Sequence, residues 1–374
     1  MNFLFACGGT AGHINPAIAV AGRLKELMPE SKFLFVGAKG KMEEDLVPRA
    51  GYEIELIEIT NIQRSLSPAG IKHNLKTALN VVKSLGASKR IIRDFKPDVV
   101  IGTGGYVCFP VLKAAQMMGI PTVLHESNAV PGLTTKMLAG GVDVMMVGFE
   151  ESASAYKNSE KVTVTGTPVR GDFRTYSKES AKKELGIDPA EKLIVSVWGS
   201  LGASRMNEIM ADFIADTYKD SDFNLIHAAG RERYDTMMER LNSLCPAGCS
   251  RQGYDVRPYI YDMSRVMAAA DLVVCRAGAS TLAELALMGK PCVLVPSPNV
   301  TNNHQEKNAR VLENAGGAVV LVEAGLTSQK FTETVTELIE DDARLNDMAE
   351  AMKVAALADA TERITDVVLG LAMK

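Results

Sequence analysis

Short apolar runs alternate with segments of helical periodicity along this chain, and the alternation starts afresh near its middle. In the first series, Phe3–Cys7, Lys32–Val36, Tyr52–Glu58, Val99–Gly102, Thr122–His125, Asp143–Val147 and Lys161–Val164 read as strands. Ala17, Val20, Ala21, Leu24 and Met28 share one helical face, with Asn15 expected as the cap and Pro16 in the first turn. The second series is Lys192–Val197, Phe223–His227, Val256–Tyr261, Leu272–Cys275, Pro291–Val295 and Ala318–Val322. Strands joined through helices by short loops run parallel and are covered on both faces. The chain therefore reads as α/β, with two Rossmann-like domains whose parallel sheets face a central cleft, where ligands bind at the strand carboxyl ends. The expected domains are 1–165 and 166–354, hinged near Gly166–Asp172. A last helix, about 355–374, carries Ile364, Val367, Val368 and Leu371 on one face and can pack back on the first domain.

A chain of 374 residues, 47% hydrophobic and 23% charged, is long and apolar enough for two such domains. Its charge of −4 is uneven: residues 1–165 hold 18 Lys/Arg against 15 Asp/Glu, and the remainder 23 against 30. The six cysteines suggest no disulfide framework: Cys7, Cys275 and Cys292 sit in apolar runs, and Cys245 and Cys249 lack the partners of a zinc site. A reducing cytoplasm is the simplest setting. No secretory signal is visible before the first strand, and the charge-free stretch Val99–Leu112 is too short and too glycine-rich to span a bilayer.

The chemistry concentrates in glycine turns at strand ends. The first strand runs into Gly8-Gly9-Thr10-Ala11-Gly12-His13, the outline of a phosphate site, since glycines let backbone N–H groups approach an anion. The dinucleotide fingerprint G-x-G-x-x-G is absent, as is a Walker A loop. The serine-hydrolase elbow fails at Ser200 because position 198 is Trp. These absences remove nicotinamide, P-loop and hydrolase readings. Further turns follow at Gly102-Thr103-Gly104-Gly105-Tyr106 and His125-Glu126-Ser127-Asn128, and in the second half at Gly199-Ser200-Leu201-Gly202 and Arg276–Glu284. Late in the chain stands Asn302-Asn303-His304-Gln305.

With Thr167-Pro168-Val169-Arg170 added, these segments together resemble glycosyltransferase family 28, the peptidoglycan-synthesis branch of the GT-B superfamily, over essentially the whole chain. The resemblance implies inverting transfer of N-acetylglucosamine from UDP-GlcNAc to the muramyl sugar of lipid I. The product is lipid II, made by a peripheral enzyme at the cytoplasmic face of the cell membrane. It also implies contact with other cell-wall synthesis and division proteins. Such a transfer needs a base for the acceptor hydroxyl, and histidine titrates near neutral pH. His13 is the expected base, with positioning of the acceptor as its other role; Glu126 is a rival carboxylate or a group that orients His13. Thr10, Ala11 and Gly12, with Gly104, Gly105 and Tyr106, are expected to hold the acceptor's pyrophosphate, although tight packing also explains the two glycines.

In the second domain the resemblance places the ribose on Glu284, the diphosphate on Ala279, Ser280, Thr281 and Ser200, and the uracil on Ile260 with Met263 nearby. It places the sugar hydroxyls on Gln305 and adds Asn128, Arg170 and Arg276 to the substrate site; a hinge salt bridge is the other reading of Arg170. The sequence departs from the family pattern at Ala11 (usually Gly), Ser127 (Gln), Thr167 (Asn) and Trp198 (Gly), the last expected in the core or as a cleft wall. No D-x-D pair stands beside the turns, and helix dipoles suffice to hold UDP, so neither metal nor other cofactor is expected. Turnover should survive EDTA; loss restored by magnesium would contradict this.

Residues 64–96 carry Arg64, Lys72, Lys76, Lys83, Lys89, Arg90, Arg93 and Lys96 against Asp94 alone, interleaved with Ile71, Leu75, Leu79 and Val82 at helical spacing. A basic amphipathic helix fits docking on an anionic membrane surface, or else packs its apolar face inward. Nucleic acid is not expected, because the chain is acidic (pI ≈ 5.9) and no stacking aromatics accompany the charges. Other readings of the fold are a different GT-B glycolipid synthase, such as a diacylglycerol glycosyltransferase, and a UDP-GlcNAc 2-epimerase, which needs no acceptor.

Overall fold

A computed structural model describes residues 1–59, 68–157, 159–199, 202–245 and 253–374, except for the side chains of 68–79, 159 and 301. The chain forms two compact units, Met1–Gly171 with Leu357–Lys374, and Asp172–Ala356. The basic side chains of Arg64, Lys72 and Lys76, the apolar ones of Ile71, Leu75 and Leu79, and Ser200 lie outside the described residues.

The strands of the first unit are β1 (Asn2–Ala6), β2 (Lys32–Ala38), β3 (Glu53–Ile57), β4 (Val99–Gly102), β5 (Thr122–Glu126), β6 (Val144–Val147) and β7 (Val162–Val164). They pair in the order β3-β2-β1-β4-β5-β6-β7, every pair parallel. Alternation along β1 sends Phe3 and Phe5 to one face and Leu4 and Ala6 to the other, and each set joins a separate buried cluster. Phe5 stacks on Phe35 of β2 with ring centroids 4.9 Å apart. The helix Ala360–Ala372 returns to this unit and buries Ile364 and Val368 in the Phe3/Phe5 cluster.

The opening helix spans Ala11–Leu27, so Asn15 is not its cap and Pro16 lies in the second turn. Thr10 is already extended (φ −146°, ψ 154°) where the glycine turn ends. Its carbonyl takes the N–H of His13 at 3.0 Å, so the helix starts five residues earlier than the Asn-Pro pair suggests. Ala11 is the first helical residue and is not among the described residues of positive φ. Its methyl is therefore tolerated where glycine is usual.

In the second unit the strands are β8 (Lys192–Val197), β9 (Phe223–Ala228), β10 (Tyr254–Arg257), β11 (Leu272–Cys275), β12 (Cys292–Leu294) and β13 (Ala318–Val320). Their order is β10-β9-β8-β11-β12-β13, again parallel throughout. β10 lies earlier than the expected Val256–Tyr261, because Pro258 has no N–H to give the ladder and ends the pairing. Beyond it Tyr259 and Tyr261 pack edge to face at 4.8 Å, with the Arg231 guanidinium over both rings. Cys7, Cys108, Cys275 and Cys292 are free and buried, as their apolar runs suggest, whereas Cys245 is disulfide-bonded.

Candidate active site

Strand order fixes where the first unit can bind a ligand. β1 lies between β2 and β4, and the helices that follow β1 and β4 pack in opposite clusters, one on each face of the sheet. Where the connections part, the strand carboxyl ends open into a crevice. The two turns named from the sequence, Gly8–His13 after β1 and Thr103–Tyr106 after β4, are brought together there because Ala6 and Gly102 are register partners.

His13 is held on three sides. Its Nδ1 stands 3.0 Å from the Gly8 carbonyl, and a carbonyl can only accept, so Nδ1 carries the proton. In the neutral ring Nε2 then presents a lone pair. Thr103 Oγ1 donates to the His13 carbonyl at 2.7 Å. Gly104 (φ +116°) passes so close that a Cβ there would lie 2.5 Å from His13 Cδ2 and 3.0 Å from Nε2. Gly105 (φ +89°) leaves no room for a Cβ against the Gly8 carbonyl. Both glycines thus serve close packing, and that packing is against the histidine and the carbonyl that holds it. Tyr106 lies beside Gly9, its phenol raised above the ordinary range by burial and then by Glu43. Gly104→Ala should lower kcat at least about tenfold and destabilise the unit by about 1–3 kcal/mol, since a left-handed backbone and a methyl over Nε2 act together. Wild-type turnover in that variant would remove the steric argument.

Glu126, at the end of β5, is buried and fully engaged. Oε1 accepts the Asn128 N–H at 3.1 Å and its Nδ2 at 3.0 Å, while Oε2 accepts the Gly132 N–H at 2.9 Å and the Thr135 hydroxyl at 2.8 Å. These bonds make Glu126 the hub of the 126–135 loop, with four donors shared between its two oxygens. Asn128 is oriented by this carboxylate. Neighbouring His125 is buried and donates from Nε2 to the Gly166 carbonyl at 2.8 Å, with Ser127 Oγ 3.3 Å from Nδ1. Burial holds its pKa below the usual value, so it stays neutral. Thr167 fills the space a side chain at Gly148 would need, and Arg170 lies just before the Gly171–Arg174 turn.

The second unit repeats the same logic at β8 and β11, the neighbours between which its strand order reverses. After β8, Gly202 (φ +71°) presses on the Ala229 carbonyl, and Asn207 Nδ2 donates to that carbonyl at 2.8 Å. After β11, Gly278 opens the helix Ala279–Leu287 without a side-chain cap, and Ala279, Ser280 and Thr281 form its first turn. Glu284 is one turn further along and buried; it contributes to raising the buried Cys275 thiol, pushed up to about 12 chiefly by desolvation. Arg276 is committed within the unit. It donates to the Val295 carbonyl at 3.0 Å, pairs with Glu323 at 2.6 Å and stacks 5.7 Å over the Trp198 ring. Trp198 is a core residue, 3% exposed.

Gln305 Oε1 accepts the Ser297 N–H at 2.9 Å, so its amide NH2 is the remaining donor. Two left-handed asparagines, Asn302 (φ 56°) and Asn303 (φ 51°), make the turn into the helix His304–Asn314 that carries it. Ile260 is buried after β10, and Met263 opens the helix Met263–Ala269. Among the described residues no three His, Cys, Asp or Glu side chains gather as metal ligands.

Sequence reasoning passed over Glu43. It is 0% exposed, and its carboxylate accepts the Gly9 N–H at 3.0 Å and the Ala38 N–H at 2.9 Å. It stands first in the run Glu43-Glu44-Asp45, which looks like a solvated helix start.

Two parallel-sheet Rossmann-like units, each with glycine turns at its switch point, are the architecture found in the GT-B class of glycosyltransferase. Models of the glycosyltransferase family 28 N-terminal and C-terminal domains match residues 3–147 and 193–364. A protein of Acetivibrio thermocellus is 42% identical over 368 residues, covering 98% of this chain and 97% of that one. It is named UDP-N-acetylglucosamine--N-acetylmuramyl-(pentapeptide) pyrophosphoryl-undecaprenol N-acetylglucosamine transferase. A protein of the same name from Listeria welshimeri is 40% identical over 371 residues, 99% of each chain. The crystal structure of Acinetobacter baumannii MurG aligns over 99% of both chains with a TM-score of 0.73 at 25% identity. The chain belongs to glycosyltransferase family 28.

Proposed function

We propose that this glycosyltransferase moves N-acetylglucosamine from UDP-GlcNAc to the C4 hydroxyl of the muramyl sugar of undecaprenyl-pyrophosphoryl-MurNAc-pentapeptide, lipid I, giving lipid II. Relatives at about 40% identity over the full chain bear the name of this reaction, which supports the reading. The observation that carries the mechanism is His13, fixed through Nδ1 with Nε2 left as the acceptor of a proton. As the acceptor oxygen bonds to the anomeric carbon, the bond from that carbon to the UDP phosphate oxygen breaks. The hydroxyl proton passes to Nε2, and attack opposite the leaving group inverts the centre.

The second unit, Asp172–Ala356, takes the donor. Backbone N–H groups at Ala279, Ser280 and Thr281, together with Ser200, receive the diphosphate; at the first three a helix N-terminus favours negative charge. Glu284 accepts from the ribose hydroxyls, Ile260 and Met263 receive the uracil, and the Gln305 amide donates to the sugar. The first unit takes the acceptor, with its pyrophosphate against Thr10, Ala11, Gly12 and Tyr106. Arg170 and Asn128 complete the substrate contacts, and Arg276 supports the donor site through Trp198 and Glu323 rather than by touching the phosphates.

Incubating labelled UDP-GlcNAc with and without a lipid I analogue tests the reaction. Acceptor-dependent transfer is expected; turnover without acceptor would instead identify an epimerase.

The enzyme works from the cytoplasmic face of the membrane as a peripheral protein. No described helix is long and apolar enough to cross a bilayer. Val82, Met117, Leu133 and Met137 are exposed on the helices Pro68–Phe95, Cys108–Met117 and Leu133–Leu138, with Lys83, Arg90 and Arg93 exposed on the first of them. Exposed apolar side chains together with exposed cations suit an anionic lipid surface. Changing Lys83, Arg90 and Arg93 to Glu should abolish sedimentation with phosphatidylglycerol vesicles while leaving turnover of a water-soluble acceptor intact. Unchanged vesicle binding would overturn the docking surface.

A further inference from the structure

The Gly8 carbonyl that holds His13 and the Gly9 N–H that reaches Glu43 belong to one peptide group. That group is planar and conjugated, so a negative charge on its N–H side deepens the charge on its carbonyl oxygen. We propose that Glu43 is a positioning residue for His13, acting through the Gly8–Gly9 peptide: it fixes the imidazole as the Nδ1–H tautomer and stabilises the imidazolium formed when Nε2 takes the acceptor's proton. The inference rests on His13 being the base.

The seat of Glu43 is built rather than incidental. A Cβ at Gly8 would overlap its Oε1, and a Cβ at Gly37 would lie 2.5 Å from its Cγ, so both glycines make room for it. Each oxygen accepts one backbone N–H, from Gly9 at 3.0 Å and Ala38 at 2.9 Å, an arrangement suited to a carboxylate with no proton of its own. Gly105 closes on the Gly8 carbonyl from the other side, so the linking peptide cannot tilt away. The other titratable groups packed around this turn are held neutral by burial. Cys7 is pushed well up, Cys108 is pushed up to about 12, Tyr106 is raised and His125 is lowered. The carboxylates are Glu43 and Glu126, and Glu126 is tied to the 126–135 loop. Glu43 itself is fully buried, so its negative charge acts on the imidazole through the peptide that links them.

The test compares wild type, Glu43→Gln, His13→Ala and the double variant, using UDP-GlcNAc and a lipid I analogue across pH. Glu43→Gln should lower kcat about tenfold with KM nearly unchanged and move the acid limb of the kcat profile to lower pH, because the imidazolium loses a partner. The double variant should be no slower than His13→Ala alone. An equal Glu43→Gln loss in the His13→Ala background would overturn the relay while leaving His13 as base; full turnover in His13→Ala would overturn the base itself. Should Glu43→Gln lose UDP binding and so prove misfolded, 15N NMR of the His13 ring in the wild type decides. The Nδ1–H tautomer is expected, and a dominant Nε2–H tautomer would overturn the proposal.

Discussion

Replacing His13 with alanine lowers kcat by about 10²–10⁴-fold and changes the affinity for UDP little, the span expected of one general base. The size follows from geometry: Nδ1 is spent on Gly8, Nε2 is the group left for substrate, and Gly104 puts no side chain against that edge of the ring. Single-turnover kinetics with a lipid I analogue read the chemical step directly. A loss confined to acceptor KM would instead assign His13 to holding the acceptor.

Replacing Glu126 with alanine strands four donors in a buried loop: the Asn128 N–H and amide, the Gly132 N–H and the Thr135 hydroxyl. Donors left unsatisfied away from water each cost on the order of 1–3 kcal/mol, and the loop relaxes enough to recover part of that. A net loss of about 3–5 kcal/mol, or roughly 10 °C in Tm, is expected by calorimetry. Glu126→Gln recovers half of the network, since an amide oxygen still serves Asn128 while its NH2 cannot accept from Gly132 and Thr135. It should therefore fall between the two. A Glu126→Gln variant with wild-type Tm but no turnover would return the catalytic proton to Glu126.

The sheets were legible because their strands are short apolar runs bounded by glycine and proline. β4, β8 and β11 fall where the residues place them. The opening helix began early because a local cap signature, Asn15-Pro16, competes with a backbone already turned at Thr10, and no one-dimensional pattern ranks the two. Glu126 was visible as a carboxylate at a strand end, but the partners of its Oε2 are six and nine residues downstream, so its role needs the folded loop. Glu43 was not visible, because an acid in an acidic run reads as solvated. Only Gly8 and Gly37, brought together on neighbouring strand ends, disclose the hole it fills.

The closing helix has a consequence for how the polypeptide is made. Asp172–Ala356 is continuous in sequence, whereas the first unit lacks Leu357–Lys374 until the whole of the second unit has been synthesised. Until then the Phe3/Phe5 layer is missing Ile364 and Val368. The unit begun before the other is thus completed after it, and the nascent chain carries an incomplete apolar layer past the ribosome until residues 357–374 arrive to close it.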